Sequence, residues 1–293
     1  MNWPPALMVD VEFCYLCKPK HTPMFLNYIV WKPDPEIFQI TISGLGTLAP
    51  RWYGLLFALG FVFGYFIMMK IFRKEGIPLK VLDQLATYMI IATIIGARLG
   101  HVLFYEPAEY FKNPIEILQV WKGGLASHGA AIAIILALFI FSRKNKKPFI
   151  WIFDRIAIVV ALAGVFIRTG NLMNSEIFGV ETNLPWGFVF VNSDPSMVPK
   201  HPTQIYEALA YLLIFIFLYA VYLKRDGKPR PGFLFAMFMI LVFSFRFLIE
   251  FVKEPQVAFE SGMALNMGQL LSIPFILLGL ITLLIIYKRK TVS

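Results

Sequence analysis

Seven stretches of about 20 apolar residues, each long enough as a helix to cross roughly 30 Å of hydrocarbon, recur near 52–72, 83–105, 123–141, 150–172, 203–223, 232–252 and 267–287. Backbone in lipid must satisfy its own N–H and C=O groups, so such stretches form either helices or the strands of a closed barrel. Barrel strands alternate polar and apolar residues over about ten positions, and these runs do not. The expected fold is therefore all-α, a polytopic membrane bundle of about seven transmembrane helices. Composition agrees: 58% of residues are apolar and the mean hydropathy is +0.68, well above the range of soluble domains.

Basic residues set the expected orientation, since short loops rich in Lys and Arg stay cytoplasmic. Three connections are basic, carrying Lys70, Arg73, Lys74 and Lys80, then Arg143, Lys144, Lys146 and Lys147, then Lys224, Arg225, Lys228 and Arg230. The tail adds Lys288, Arg289 and Lys290, whereas the alternate connections hold only Lys112, Lys122, Lys200 and Lys253. This pattern places the N-terminus outside and the C-terminus inside. It also makes the net charge of +9 a matter of topology and not a nucleic-acid footprint.

The chain divides into an outward-facing N-terminal segment, residues 1–50, expected to lie on the membrane, and a seven-helix bundle over residues 51–290. Cys14 and Cys17 form a CxxC in the first part, open to reading as a disulfide, half a metal site or a redox pair; because no second CxxC or His pair completes a tetrahedral site, a structural or incidental role is expected. Gly60 and Gly64, then Ala92, Gly96 and Gly100, and Gly164 mark closely packed helices.

Polar residues inside the spans carry the functional information, because a charge at mid-bilayer costs on the order of 3 kcal/mol. With this topology Arg98, Arg168 and Arg246 fall in the outer halves of three outward-running helices. Ser127, His128, His201, Gln204, Tyr206 and Glu207 open two inward-running helices near the same level, and Tyr53 begins the first helix there. Arg168, Asn171 and Asn174 share a helix face, and Arg246 and Glu250 are an i,i+4 pair. One intramembrane Arg–Glu pair needs no more explanation than self-neutralisation; so many unlike polar groups at one depth imply a site. Arg155, beside Asp154 at the cytoplasmic start of the fourth span, is expected to snorkel or pair locally.

Arginine offers planar donors matched to phosphate oxygens, and asparagine adds neutral ones. His128, flanked by Gly123, Gly124 and Gly129, is a proton acceptor suited to neutral pH. The residues alone point to an enzyme or binder acting on an anionic lipid from the outer face.

The run Arg168 to Glu176, RTGNLMNSE, followed by Gly179, resembles the signature Arg-x-Gly-Asn-x-x-Asn-x-Glu of the bacterial prolipoprotein diacylglyceryl transferases. RWYG at 51–54, GARLGHVLFY at 96–105, WKGGLASHG at 121–129, HPTQIYE at 201–207, FRFLIEFVKEP at 245–255 and MGQLLSIP at 267–274 extend the resemblance over roughly residues 35 to 288. It implies transfer of a diacylglyceryl group from phosphatidylglycerol to the lipobox cysteine thiol of a preprolipoprotein, forming a thioether and releasing glycerol phosphate. This is the first step of lipoprotein maturation. It further implies a multi-pass protein of the bacterial cytoplasmic (inner) membrane, with its active site toward the outer face and no metal or soluble cofactor. The partners would be phosphatidylglycerol and signal peptides bearing a lipobox cysteine, with no nucleic acid.

By that resemblance His128, Arg246 and Tyr53 are the expected catalytic residues. Arg168, Asn171, Asn174, Glu176, Gly179, Arg98 and Glu250 are expected to bind substrate. Three positions depart from the family pattern: Val242 and His101 stand where tyrosine occurs, and Ser175 where glycine is common. A retinal pump is disfavoured because residues 267–287 contain no lysine for a Schiff base. A transporter is disfavoured because the chain shows neither repeat symmetry nor paired broken helices.

Overall fold

In a computed structural model, described over residues 28–42, 46–119, 123–255, 260 and 262–291, four of the long helices stop at a left-handed residue. α1 (Trp52–Lys74) closes in a Schellman turn, with Gly76 at φ +67° and the Ile77 N–H bonded to the Phe72 carbonyl at 2.9 Å. α4 (Ser127–Lys144) and α6 (Thr203–Lys224) end identically, through Lys146 and Asp226, each at φ +50°. Pro78 and Pro148 then open α2 (Leu79–Phe104) and α5 (Phe149–Met173), where the missing N–H is no loss. α7 (Phe233–Ile249) and α8 (Met267–Thr291) complete, among the described residues, seven helices long and apolar enough to cross a membrane. A short α3 (Pro107–Lys112) follows α2. The protein is thus the expected all-α, multi-pass bundle.

The third span begins at Ser127, not 123, because Gly123 and Gly124 take φ of +91° and +68°, which no right-handed helix accommodates. Apolar side chains such as Phe66, Ile132, Leu213 and Leu284 face outward from the spans, as expected when the solvent is lipid. α5 is central, packing on α1, α6 and α7, while α2 pairs chiefly with α4 and α7 with α8.

The two ends of the bundle differ in chemistry. The tightest apolar packing, Ile71, Phe72, Leu82, Phe141, Ile152, Leu218, Tyr222 and Leu234, lies toward the basic loops. Those loops meet one another: Lys74 bonds Asp226 at 2.6 Å, and Arg155 joins Glu75 at 3.0 Å. Arg155 therefore does not snorkel, and its 3.9 Å approach to Asp154 is marginal. It is buried between Glu75, the Trp151 ring and the Gly227 carbonyl, a site assembled from three segments that local sequence does not reveal.

Asp154 instead caps α7, accepting the Gly232 N–H at 2.7 Å and the Phe235 N–H at 2.9 Å. A carboxylate serving the first turn of another helix does what an N-cap residue does locally. Asp154→Ala is expected to lower stability by about 2–3 kcal/mol, because two buried donors lose their acceptor. Thermal inactivation of the purified protein measures this; an unchanged midpoint would show that water replaces the carboxylate.

At the opposite end, β1 (Ile29–Trp31) pairs in parallel with β4 (Phe188–Phe190), and β2 (Ile40–Ile42) forms a hairpin with β3 (Gly46–Leu48). The segment before α1 is thus stitched to the α5–α6 connection, and the Trp31 indole donates to the Leu172 carbonyl at the end of α5 (2.9 Å). Cys14 and Cys17 lie outside the described residues.

Candidate functional site

The same Schellman device that ends the helices at the basic loops also shapes the other end of α5. Ser175 occupies the left-handed position at φ +53°, and the Glu176 N–H bonds the Asn171 carbonyl at 3.0 Å. A left-handed position of this kind suits glycine, which is the residue the family resemblance leads one to expect at 175. It also folds Glu176 back over the last turn of α5, where its Oε1 accepts Asn171 Nδ2 at 2.8 Å and Asn174 Nδ2 at 3.3 Å. Asn171 in turn accepts Arg168 Nη1 through Oδ1 at 3.2 Å. The expected shared face of Arg168, Asn171 and Asn174 is therefore a hydrogen-bonded chain ending on Glu176.

Arg168 reaches across to α6, where Nη2 lies 3.1 Å from Glu207 Oε1. The same oxygen takes Lys253 Nζ at 3.1 Å, and Lys253 also lies 3.3 Å from Glu250 Oε1. Glu250 Oε2 accepts Asn266 Nδ2 at 3.0 Å. Asn266 is free to do this because a capping box holds it: Gln269 N–H donates to Asn266 Oδ1 at 2.9 Å, and Asn266 N–H to Gln269 Oε1 at 3.1 Å. Arg246 completes the group, with Nε 4.0 Å from Glu250 Oε1.

Three cations, Arg168, Arg246 and Lys253, thus face three carboxylates, Glu176, Glu207 and Glu250, across α5, α6 and α7. They are not equally committed. The Glu207 side chain is 0% exposed and held by two cations, while Glu250 is covered by Lys253 and Asn266 without help from Arg246. Arg246, with 38% of its side chain exposed and its carboxylate at the limit of an ion pair, has donors to offer.

Close backbone approach explains two glycines. A Cβ at Gly170 would sit 2.8 Å from the Tyr53 ring, so the glycine lets Tyr53 lie against the end of α5. At Gly179 a Cβ would sit 2.3 Å from the Val252 carbonyl, where the Gly179 N–H bonds the His201 carbonyl at 2.8 Å.

Arg98 and His128 lie apart from this group, on the α2–α4 pair. Arg98 is buried, its guanidinium donating to the carbonyls of Ile117 (2.9 Å), Gly123 (2.6 Å), Gly124 (3.3 Å) and Glu116. Its fork matches a turn of backbone rather than a phosphate, which differs from the substrate contact expected of it. His128 is exposed in the first turn of α4. The sequence places Glu207 at the level of the site without assigning it a role, and Lys253 only in a connection between spans. Lys253 reads as a loop charge until the short 3₁₀ turn Glu250–Val252 carries it inward, and the partner of Glu207 on its own helix, the Tyr211 hydroxyl at 3.5 Å, does not reveal the two cations that arrive from α5 and from beyond α7.

Above the site, Lys200 bonds Asp194 at 3.1 Å and also Glu254. Burial opposes ionisation of Asp194, but the Ser196 hydroxyl and N–H and the Lys200 ammonium outweigh it and hold the carboxyl below its ordinary range. Burial likewise opposes the charge on Lys200, and Glu254 and Asp194 outweigh it, raising its pKa. The depressed Asp194 contributes stability above its unfolded value of about 4, lost as pH falls through the folded value; the raised Lys200 contributes below about 10.4, lost as pH rises through its own. Acid below about pH 4 is therefore expected to loosen this cap, read by the emission of Trp31 and Trp186, with Lys200→Met weakening the acid transition and Ser196→Ala weakening it further.

Seven apolar helices with an ionic group at one end, beside a small strand-paired cap, define a polytopic integral membrane protein. The chain belongs to the prolipoprotein diacylglyceryl transferase family, whose model matches residues 39–285. It is similar to the phosphatidylglycerol–prolipoprotein diacylglyceryl transferase of Tolumonas auensis, 47% identical over 263 residues, 89% of this chain and 99% of the relative. The proteins of the same name from Chloroherpeton thalassium (43% identical, 87% and 93% covered) and Porphyromonas gingivalis (46%, 86% and 93%) match similarly.

Proposed function

We propose that this chain transfers the diacylglyceryl group of phosphatidylglycerol to the lipobox cysteine of preprolipoproteins, working in the bacterial cytoplasmic membrane with its site toward the outer face. Residues 51–290 are the catalytic bundle. The cysteine sulfur attacks the glycerol carbon that carries the phosphate ester. A C–S bond forms, the C–O bond breaks, its electron pair stays on the phosphate oxygen, and glycerol phosphate leaves. The thiol proton passes to a base, assigned to His128.

The phosphate goes from one negative charge to two as the ester breaks, so a cation beside it stabilises the transition state more than the ground state. The observation that supports this reading most is the unequal pairing of the ionic group: Arg168 is fastened to Glu207 and Asn171, while Arg246 is exposed and loosely held. Arg246 takes the departing phosphate; Arg168, with Asn171, Asn174 and Glu176, shapes the pocket, and Tyr53 and Gly179 line its rim.

The test is purified protein in vesicles containing phosphatidylglycerol, given a lipobox peptide. A thioether-linked product with equimolar glycerol phosphate is expected, and movement of unmodified lipid alone would replace the transferase reading with a transporter. His128→Gln is expected to slow turnover about 100-fold or more with the protein still folded. Full activity in that variant would assign the base elsewhere.

A further inference from the structure

The connection between α2 and α4 carries large apolar side chains that the bundle does not cover. Phe111, Ile115 and Leu118 are 70%, 75% and 74% exposed, and Phe104 at the end of α2 is 72% exposed. These values match or exceed that of Ile132, at 63%, on the lipid-facing side of α4. An aqueous loop with this content would be a liability.

The segment does not project away from the bundle. Tyr110 is buried beneath it, its ring 4.8 Å from the Arg98 guanidinium, and the same guanidinium donates to the carbonyls of Glu116 and Ile117. Arg98 lies six residues before Phe104, so its Cα is about 9 Å below the helix end. α2 has 26 residues and is about 39 Å long, leaving only about 4–5 Å beyond each face of a hydrocarbon core of roughly 30 Å. A backbone fastened to that side chain is drawn back to the hydrocarbon boundary. Residues Pro114–Leu118 form a 3₁₀ turn, in which positions three apart share a face, so Ile115 and Leu118 point the same way.

We infer that residues 104–118 are a re-entrant interfacial segment, pinned by Arg98, whose exposed apolar side chains are buried in the acyl chains of the leaflet at that end of the bundle. The occupant of the surface is bilayer lipid, because the surface is continuous with the lipid-facing side of α2 and held at the depth where acyl chains begin. Glu106, Glu109 and Lys112, all exposed, lie among headgroups. Since Arg98 also holds the Gly123 and Gly124 carbonyls, the same pin fixes the loop that leads into α4.

The experiment uses the full chain with Cys14→Ser and Cys17→Ser, one new cysteine, and an environment-sensitive fluorophore, in vesicles of phosphatidylethanolamine and phosphatidylglycerol. Ile115→Cys and Leu118→Cys are both made, so that a folding defect in one leaves the other. Met197→Cys, on the exposed connection before α6, serves as the aqueous reference. Labels at 115 and 118 are expected to emit to the blue, to be quenched by lipids brominated on their acyl chains, and to respond to iodide roughly threefold less than the label at 197. Iodide quenching equal to that at 197 would place the segment in water and overturn the inference. Protection from both quenchers would mean that protein covers the surface, a second copy if dilution of the protein in lipid removes it, and would overturn it as well.

Discussion

Arg246→Gln lowers the turnover of diacylglyceryl transfer by roughly 100-fold or more while changing the phosphatidylglycerol requirement only a few fold. The expectation follows from where the charge grows. In the proposed reaction Arg246 meets a phosphate that gains a negative charge as its ester breaks, so removing the guanidinium would withdraw stabilisation present mainly in the transition state. Arg246→Lys keeps the charge but loses the planar fork, and should remain impaired. The competing explanation is that Arg246 serves only to neutralise Glu250, in which case Arg246→Gln with Glu250→Gln should regain activity. The geometry argues against that rescue, because Glu250 already has Lys253 at 3.3 Å and Asn266 at 3.0 Å, while Arg246 is 4.0 Å away. Steady-state rates at varied mole fractions of phosphatidylglycerol decide the matter. An active double variant would make Arg246 structural.

Glu207→Gln is expected to destabilise the protein by about 3–5 kcal/mol, the effect of removing one partner from a buried ionic group. Two cations, Arg168 and Lys253, share one oxygen of a carboxylate that has no access to solvent, and their own side chains are only 12% and 3% exposed. Glutamine keeps the shape and an acceptor but not the charge. Lys253→Met should be nearly as damaging, since it leaves Glu207 and Glu250 facing each other without their common cation, whereas Lys253→Arg should retain most stability. Thermal inactivation midpoints give the readout, and wild-type stability in Glu207→Gln would show that the carboxyl is protonated and not part of an ion pair. This cluster acts by positioning: holding Glu207 and Glu250 leaves Arg246 as the cation with donors to offer.

Some of the site is local, and could be seen as such. The Arg168, Asn171, Asn174 and Glu176 chain lies within nine residues, and its geometry follows from helical spacing plus one left-handed residue, Ser175, at the C-terminal turn. The Arg246–Glu250 spacing was equally visible, yet its meaning changed in the structure, because Lys253 and Asn266 arrive from outside the i,i+4 pattern. Arg98 and Arg155 show the limit more sharply. Both are intramembrane arginines by sequence, but one staples a loop by its carbonyls and the other pairs with Glu75, eighty positions earlier in the chain.

The sequence by itself determined the solvent, the number of crossings and the sharing of basic loops at one end, because those depend on the length and composition of contiguous runs and on the free energy of placing charge in lipid. It also determined where helices stop, since glycine, proline and residues tolerant of positive φ act within a single turn. Tertiary structure alone decided which charged group each buried ion meets. Partners such as Arg168 with Glu207, Lys253 with Glu250 and Asp154 with the first turn of α7 are chosen by helix packing, and an ion pair depends on distance in space, which separation along the chain does not report.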